Sequence, residues 1–259
     1  MPRFAANLSM LFTEVPFLER FGQAHKAGFT GVEYLFPYSW PAEDLQQALR
    51  KNGLTQVLFN LPPGDWEAGE RGIACLPDRV DEFRKGVARA LAYARVLECR
   101  QLNCLAGLRP ADLDEDLAWQ TLVDNVRWAA GQLAPEGITL CLEAINSRVD
   151  MPGFFLDTSA QVIRLIEEVD ADNVRLQYDL YHMQIMEGDL IRTMECLLPW
   201  IGHIQFADNP GRHEPGTGEI NFSNVFDALD AMGYSGWLSA EYRPAGSTTE
   251  SLGWFHHPQ

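Results

Sequence analysis

Four short apolar runs in the second half of the chain each lead to an oxygen-bearing side chain. Leu140-Cys141-Leu142 leads to Glu143, Leu176-Gln177-Tyr178 to Asp179, His203-Ile204 to Gln205, and Leu238-Ser239-Ala240 to Glu241. Taken singly, each is a rim residue or a helix cap; recurrence on four consecutive runs gives the set its meaning. Three ionised carboxylates converging at low effective dielectric repel one another strongly unless a cation sits among them. Three carboxylates and an amide oxygen are hard donors, suited to Mg²⁺ or Mn²⁺ rather than to a structural zinc ion. Open coordination positions would then be left for substrate oxygens or water.

Other polar residues fall near the same run ends. His182 lies three residues past Asp179, within reach of the same mouth as a substrate-binding group. Arg212 and His213 sit in a glycine- and proline-rich stretch, residues 208–220, and Arg71 sits in Gly69-Glu70-Arg71-Gly72. With 36 Asp+Glu against 20 Lys+Arg the net charge is −16, so a small anionic substrate has to meet locally concentrated positive charge, and Arg212 and His213, with Arg71 as a second candidate, are expected to supply it. His203 shares a strand face with Gln205 and is expected one layer beneath it as a hydrogen-bonded core histidine. His25, His256 and His257 have no site around them.

The elements that must position these groups follow from the hydrophobic pattern. Eight β-branched and apolar runs, residues 4–10, 31–36, 55–60, 101–106, 138–145, 174–181, 201–207 and 237–242, alternate with segments of helical period. Val80, Phe83, Val87, Leu91 and Ala94 form one such stripe, and Trp119, Leu122, Val126, Ala130 and Leu133 another. Thr158 and Asn221 stand where N-caps are expected for two more. Strand and helix in strict alternation imply parallel pairing with right-handed crossovers, and eight units close most simply into an α/β fold, a single (β/α)8 TIM barrel over residues 1–259. The competing open sheet would carry a glycine-rich phosphate turn after its first strand, and Asn7-Leu8-Ser9-Met10 is not one. Active groups of such barrels sit at the C-terminal ends of strands, where Glu143, Asp179, Gln205 and Glu241 fall. The two long connections, residues 61–79 and 208–220, belong to the same end.

Composition excludes several classes. Hydrophobic residues at 46% support a large core and rule out disorder. The net charge opposes sequence-independent binding to nucleic acid or an anionic membrane, and no apolar run approaches the length of a membrane span. Five cysteines without a C-x-x-C pair read as reduced thiols, so a cytoplasmic protein is expected. Assembly into a homo-oligomer is compatible with all of this.

Longer motifs add a family. Asn7-Leu8-Ser9-Met10-Leu11-Phe12, Gly31-Val32-Glu33-Tyr34-Leu35-Phe36-Pro37-Tyr38, the stretch from Pro63-Gly64-Asp65-Trp66 to Gly72, Gln177-Tyr178-Asp179-Leu180-Tyr181-His182-Met183-Gln184, and the segment from Ala207-Asp208-Asn209-Pro210 to Asn221 together span nearly the whole chain. In these the chain resembles the hydroxypyruvate isomerase family, within the xylose-isomerase-like superfamily that also holds ketose 3-epimerases and endonuclease-IV-type enzymes. The resemblance implies interconversion of hydroxypyruvate and tartronate semialdehyde, with Glu143 and Glu241 as the catalytic proton-transfer residues. The related epimerases hold their metal with Glu, Asp, His and Glu. The matching positions here are Glu143, Asp179, Gln205 and Glu241, and an amide oxygen in place of a nitrogen ligand weakens binding of transition metals.

The chemistry agrees with that implication. Moving a carbonyl to the adjacent carbon takes a base, stabilisation of an enediolate and an acid, and two carboxylates beside a divalent ion supply all three. The rivals are a 2-oxo-tetronate isomerase or ketose 3-epimerase using the same site, a repair endonuclease, and a non-catalytic binding barrel. The endonuclease would need further histidine ligands and a basic face.

Overall fold

The structure, a computed structural model, describes residues 3–256; the side chain of His256 and the whole of His257 lie outside that description. In chain order the elements are β1 (Arg3–Asn7), α1 (Phe17–Lys26), β2 (Gly31–Glu33), α2 (Ala42–Asn52), β3 (Thr55–Gln56), β4 (Phe59–Asn60), α3 (Val80–Leu97), β5 (Gln101–Cys104), α4 (Glu115–Leu133), β6 (Thr139–Glu143), α5 (Ser159–Val169), β7 (Val174–Asp179), α6 (Leu180–Met186), α7 (Leu190–Leu197), β8 (Ile201–Phe206), α8 (Phe222–Ala231), β9 (Trp237–Ala240) and α9 (Gly253–His256). Every strand pairing is parallel, in the order β3-β2-β1-β9-β8-β7-β6-β5-β4.

The two outermost members of that order, β3 and β4, are consecutive in the chain and separated only by Val57 and Leu58. Three Cα steps span about 11 Å at most, so the two edges of the sheet meet. Backbone bonds complete the closure: the Asn60 N–H donates to the Leu35 carbonyl at 2.9 Å on one side, and the Leu61 N–H to the Asn103 carbonyl at 2.8 Å on the other. The run at residues 55–60, expected as one strand, is therefore one barrel strand pinched in the middle. There the Gln56 amide donates to the Leu58 carbonyl at 2.8 Å, taking a group the ladder would otherwise use.

The expected helix stripes face the sheet. Phe83, Val87, Ala90, Ala94 and Leu97 of α3 are buried, as are Leu122, Val126, Ala130 and Leu133 of α4. Thr158 caps α5 in a reciprocal box with Gln161, and Asn221 caps α8 through the Asn224 N–H. Inside the barrel Ala5, Val57, Leu58 and Cys141 form a small apolar cluster, with Trp237 partly buried against it. Side chains on one strand face recur every second residue, so Asn7 stands above Ala5 and Glu143 above Cys141, nearer the C-terminal ends of their strands. None of the described helices is long and apolar enough to cross a membrane.

Candidate active site

Glu143 ends β6, Asp179 ends β7, Glu241 follows β9 by one residue, and His182 lies in the first turn of α6. All four are at least 96% buried. Ligand atoms of Glu143, Asp179 and His182 lie within 4.8 Å of one another. Each carboxylate is aimed by a different device. Asp179 caps α6, its Oδ1 accepting the Tyr181 and His182 N–H groups at 2.8 and 3.2 Å, which leaves Oδ2 facing His182 Nε2 at 3.7 Å. Glu143 Oε2 accepts from Asn103 Nδ2 at 2.9 Å, and its Oε1 lies 4.0 Å from His182 Nε2. Glu241 Oε1 accepts from Asn7 Nδ2 at 2.9 Å, and its Oε2 from Arg212 Nη2 at 3.0 Å.

The tautomer of His182 follows from its neighbour. Asn146 Oδ1 accepts the Val149 and Asp150 N–H groups, so its other terminus is the NH₂, which donates to His182 Nδ1 at 2.7 Å and to Asp150 at 2.6 Å. Nδ1 is thus the acceptor and Nε2 carries the proton. An Nε2–H aimed at the mouth can donate to a substrate oxygen; it has no lone pair for a cation.

Gln205 is level with Asp179 in the sheet, whereas Glu143 stands opposite Gln177, and Glu241 lies two residues beyond Ser239, the partner of Gln205. The Gln205 carbonyl accepts from Gln177 Nε2 at 2.6 Å and its NH₂ donates to Glu33 Oε1 at 2.7 Å. Glu33, wholly buried, also accepts from Asn7 Nδ2 at 2.9 Å and meets His203 Nε2 at 2.7 Å. A buried polar tier of Asn7, Glu33, Gln177, His203 and Gln205 therefore lies below the carboxylates, and Asn7 bridges the two levels. His203 takes the core position expected of it.

Burial pushes the Glu143 carboxyl well above its ordinary range, and repulsion from Glu241 and Asp179 adds to the effect. Burial likewise raises Asp179 against the pull of Arg212. Glu241 is lifted to about 8, first by burial and then by Asp179 and Glu33, with Arg212 opposing. Burial, and next the Arg212 cation, hold His182 well below its ordinary value and so neutral. Arg212 is one positive charge facing three buried acids, so full ionisation of the mouth calls for further positive charge. The donor set fits a hard divalent ion on this ground.

The mouth opens into a cavity of about 660 Å³ whose lining includes Glu143, His182, Arg212, Glu241, Arg71 and Arg243. Arg212 lies 5.2 Å over the Tyr181 ring, with Nη1 3.8 Å from Asp150, and its φ of 57° is left-handed, strained for a residue with a Cβ. Its loop, residues 208–220, is wound around the buried Asp208 carboxylate. Oδ1 accepts the Asn209 and Ile220 N–H groups, and Oδ2 those of Gly216 and Gly218. A Cβ at Gly218 would strike the Asn209 carbonyl. His213 does not line the cavity; its Nδ1 is 2.7 Å from the Arg243 carbonyl, fastening the loop to the end of the last strand.

Asn7, Glu33, Asn103, Asn146, Asp150 and Asp208 were not singled out as site residues by sequence reasoning. Asn7, Glu33 and Asn103 carry the signal that found Glu143, a polar residue at or near the C-terminal end of an apolar strand, in the first half of the barrel.

Residues 21–256 match the xylose isomerase-like TIM barrel family. Hydroxypyruvate isomerase from Escherichia coli K12 is 50% identical over 254 residues, covering 98% of each chain. The 2-oxo-tetronate isomerase of Pectobacterium atrosepticum is 48% identical over 254 residues, covering 98% of this chain and 97% of its own. The crystal structure of AP endonuclease, family 2 from Brucella melitensis superposes with a TM-score of 0.97 at 49% identity, covering 99% of this chain and 98% of that one. With a family match over most of its length and relatives at about half identity end to end, the chain belongs to the xylose isomerase-like TIM barrel family, in its hydroxypyruvate isomerase branch.

Proposed function

We propose that this isomerase interconverts hydroxypyruvate and tartronate semialdehyde, with Glu143 and Glu241 moving the protons. The observation that carries the reading is the pair of glutamates in one buried mouth, each steadied by an amide from a neighbouring strand and each with its carboxyl raised by burial. A carboxyl with a pKa of about 8 gives and takes a proton in that range with little driving force lost. The overall change removes a proton from the hydroxymethyl carbon and delivers one to the former carbonyl carbon, while the hydroxyl proton passes to the other oxygen. One glutamate takes the carbon-bound proton and the other supplies its replacement. His182 donates its Nε2–H to a substrate oxygen. Arg212 faces the negative charge that develops on the substrate's reacting oxygens and, through Nη2, keeps Glu241 oriented.

Glu143, Asp179, Gln205 and Glu241 would hold a divalent cation, Mg²⁺ or Mn²⁺, with Gln205 offering the second lone pair of its carbonyl. Such an ion, when bound, stabilises negative charge developing on two adjacent substrate oxygens. A cytoplasmic location is supported by five free thiols, four of them buried. The net charge of −16 argues against a duplex as substrate.

The 2-oxo-tetronate relative at 48% identity favours a second reading, the same shift on a four-carbon acid. Comparing kcat/KM for the two acids decides between them. Glu143→Gln and Glu241→Gln are each expected to lower kcat by roughly 100- to 10,000-fold and to abolish uptake of solvent deuterium at carbon. Near-normal turnover by either variant overturns the two-glutamate assignment.

A further inference from the structure

We propose that Arg71, stacked on Trp66, is the subsite that receives the substrate's carboxylate and makes this site prefer acids to neutral sugars. This rests on the isomerase reading and names which end of the substrate lies where. The Arg71 guanidinium carbon lies 4.0 Å from the Trp66 ring centroid, and Nη1 donates to the Trp66 and Glu70 carbonyls at 3.0 and 2.7 Å. Both protons of Nη1 are thereby used. The edge left over is the Nε–H and Nη2–H pair, two parallel donors that match the two oxygens of a carboxylate.

Neither Nε nor Nη2 has a partner among the described residues, and no carboxylate pairs with this cation there. The adjacent acid, Glu70, is engaged elsewhere: it binds Arg79 at 2.6 and 3.2 Å and accepts the Asp65 N–H at 2.5 Å. The other two arginines of the cavity lack one half of this arrangement. Arg212 is already paired with Glu241 and lies near Asp150, so a second carboxylate arriving there meets two like charges. Arg243 is exposed, and among the described residues no ring or carbonyl fixes its side chain.

The loop is built to hold the arginine still. The Gly72 N–H donates to the Pro63 carbonyl at 2.9 Å and the Glu70 N–H to the Asp65 carbonyl at 3.0 Å. Gly72 has a φ of 108° and rests on the Leu105 backbone so closely that a Cβ would collide with its carbonyl. Leu105 itself lines the cavity. A guanidinium fixed by stacking, two carbonyls and a braced loop loses little freedom when a ligand arrives.

The test uses Arg71→Met and Arg71→Lys in the full chain. For Arg71→Met, KM for hydroxypyruvate is expected to rise roughly 10- to 100-fold with kcat changed only a few-fold. Turnover of dihydroxyacetone, which has CH₂OH in place of the carboxylate, should be unaffected. The Kd for D-glycerate, measured by calorimetry without added metal, should rise by a similar factor. Arg71→Lys keeps the charge without the fork and should fall between. Unchanged glycerate binding in Arg71→Met overturns the proposal. So does equal loss on acid and neutral substrates, the mark of a merely structural arginine. Should the wild-type chain isomerise neither acid, the functional reading fails, while the glycerate measurement still reports on the subsite.

Discussion

Replacing Glu33 by glutamine tests the polar tier beneath the carboxylates. The side chain is wholly buried; Oε1 accepts from Asn7 and Gln205 at 2.9 and 2.7 Å, and Oε2 meets His203 Nε2 at 2.7 Å. An amide offers one acceptor end and one donor end. With its carbonyl toward Asn7 and Gln205, its NH₂ faces His203 Nε2, which must then present a lone pair and carry its proton on Nδ1, a buried atom with no partner among the described residues. Flipped, the NH₂ opposes two amide donors. Each unmet buried donor costs about 1–3 kcal/mol, and altering one member of a buried pair about 3–5 kcal/mol. At about 2–4 °C per kcal/mol for a chain of this size, Tm should fall by about 6–20 °C. Because Asn7 also holds Glu241, kcat should drop more than KM rises. The pH dependence has a definite sign. Burial alone would raise the Glu33 carboxyl, but attraction to His203 and the bonds from His203 and Gln205 hold it below its ordinary value. Its stabilisation is present above the ordinary carboxyl range and is lost as pH falls through the lowered value, so the Tm gap between wild type and Glu33→Gln should narrow in acid. A Tm within about 2 °C of wild type at pH 7, an effect of at most about 1 kcal/mol, would refute the hub role of Glu33.

Two further outcomes follow from the same geometry. Glu241, raised to about 8, together with Glu143 and Asp179, must lose protons to bind a cation, so Mn²⁺ affinity by calorimetry should climb with pH from about 5 to 8. The metal-free protein should lose Tm over that same window, because a carboxyl with a raised folded pKa stabilises most at low pH; a flat profile in both would contradict the shared burial of the three acids. Asp208→Asn leaves one acceptor end where two served four backbone N–H groups, so it should destabilise by about 1–3 kcal/mol. Since the loop carries Arg212, kcat/KM should fall as well, and steady-state rates beside a thermal melt would separate the two effects.

The barrel was legible in the sequence because short apolar runs alternate with segments of helical period along the chain, and Thr158 and Asn221 mark helix starts by their own chemistry. The pinch in the third barrel strand was not, since it depends on Gln56 folding back onto the Leu58 carbonyl, a tertiary choice that no pattern records. The carboxylates were legible as strand-end residues. The groups that steady them were less so: Asn103 and Asn7 read as ordinary polar residues until the closed barrel sets them beside Glu143 and Glu241. His182 was legible as a neighbour of Asp179, but its role as a donor rests on Asn146, thirty-six residues earlier in the chain.

The buried polar tier also explains how a protein of charge −16 gathers three acids in one place and keeps its fold. Glu33, Glu143, Asp179 and Glu241 each accept bonds from amide or guanidinium groups fixed on another strand, helix or loop, so no carboxylate is left without donors. Hydrogen bonding offsets only part of the repulsion, which is why Glu143, Asp179 and Glu241 remain raised. Glu33, one tier lower and beside His203, is lowered instead. The two tiers thus separate by environment a buried acid that holds its charge for structure from acids whose grip on a proton burial strengthens. The second condition is the one proton transfer requires.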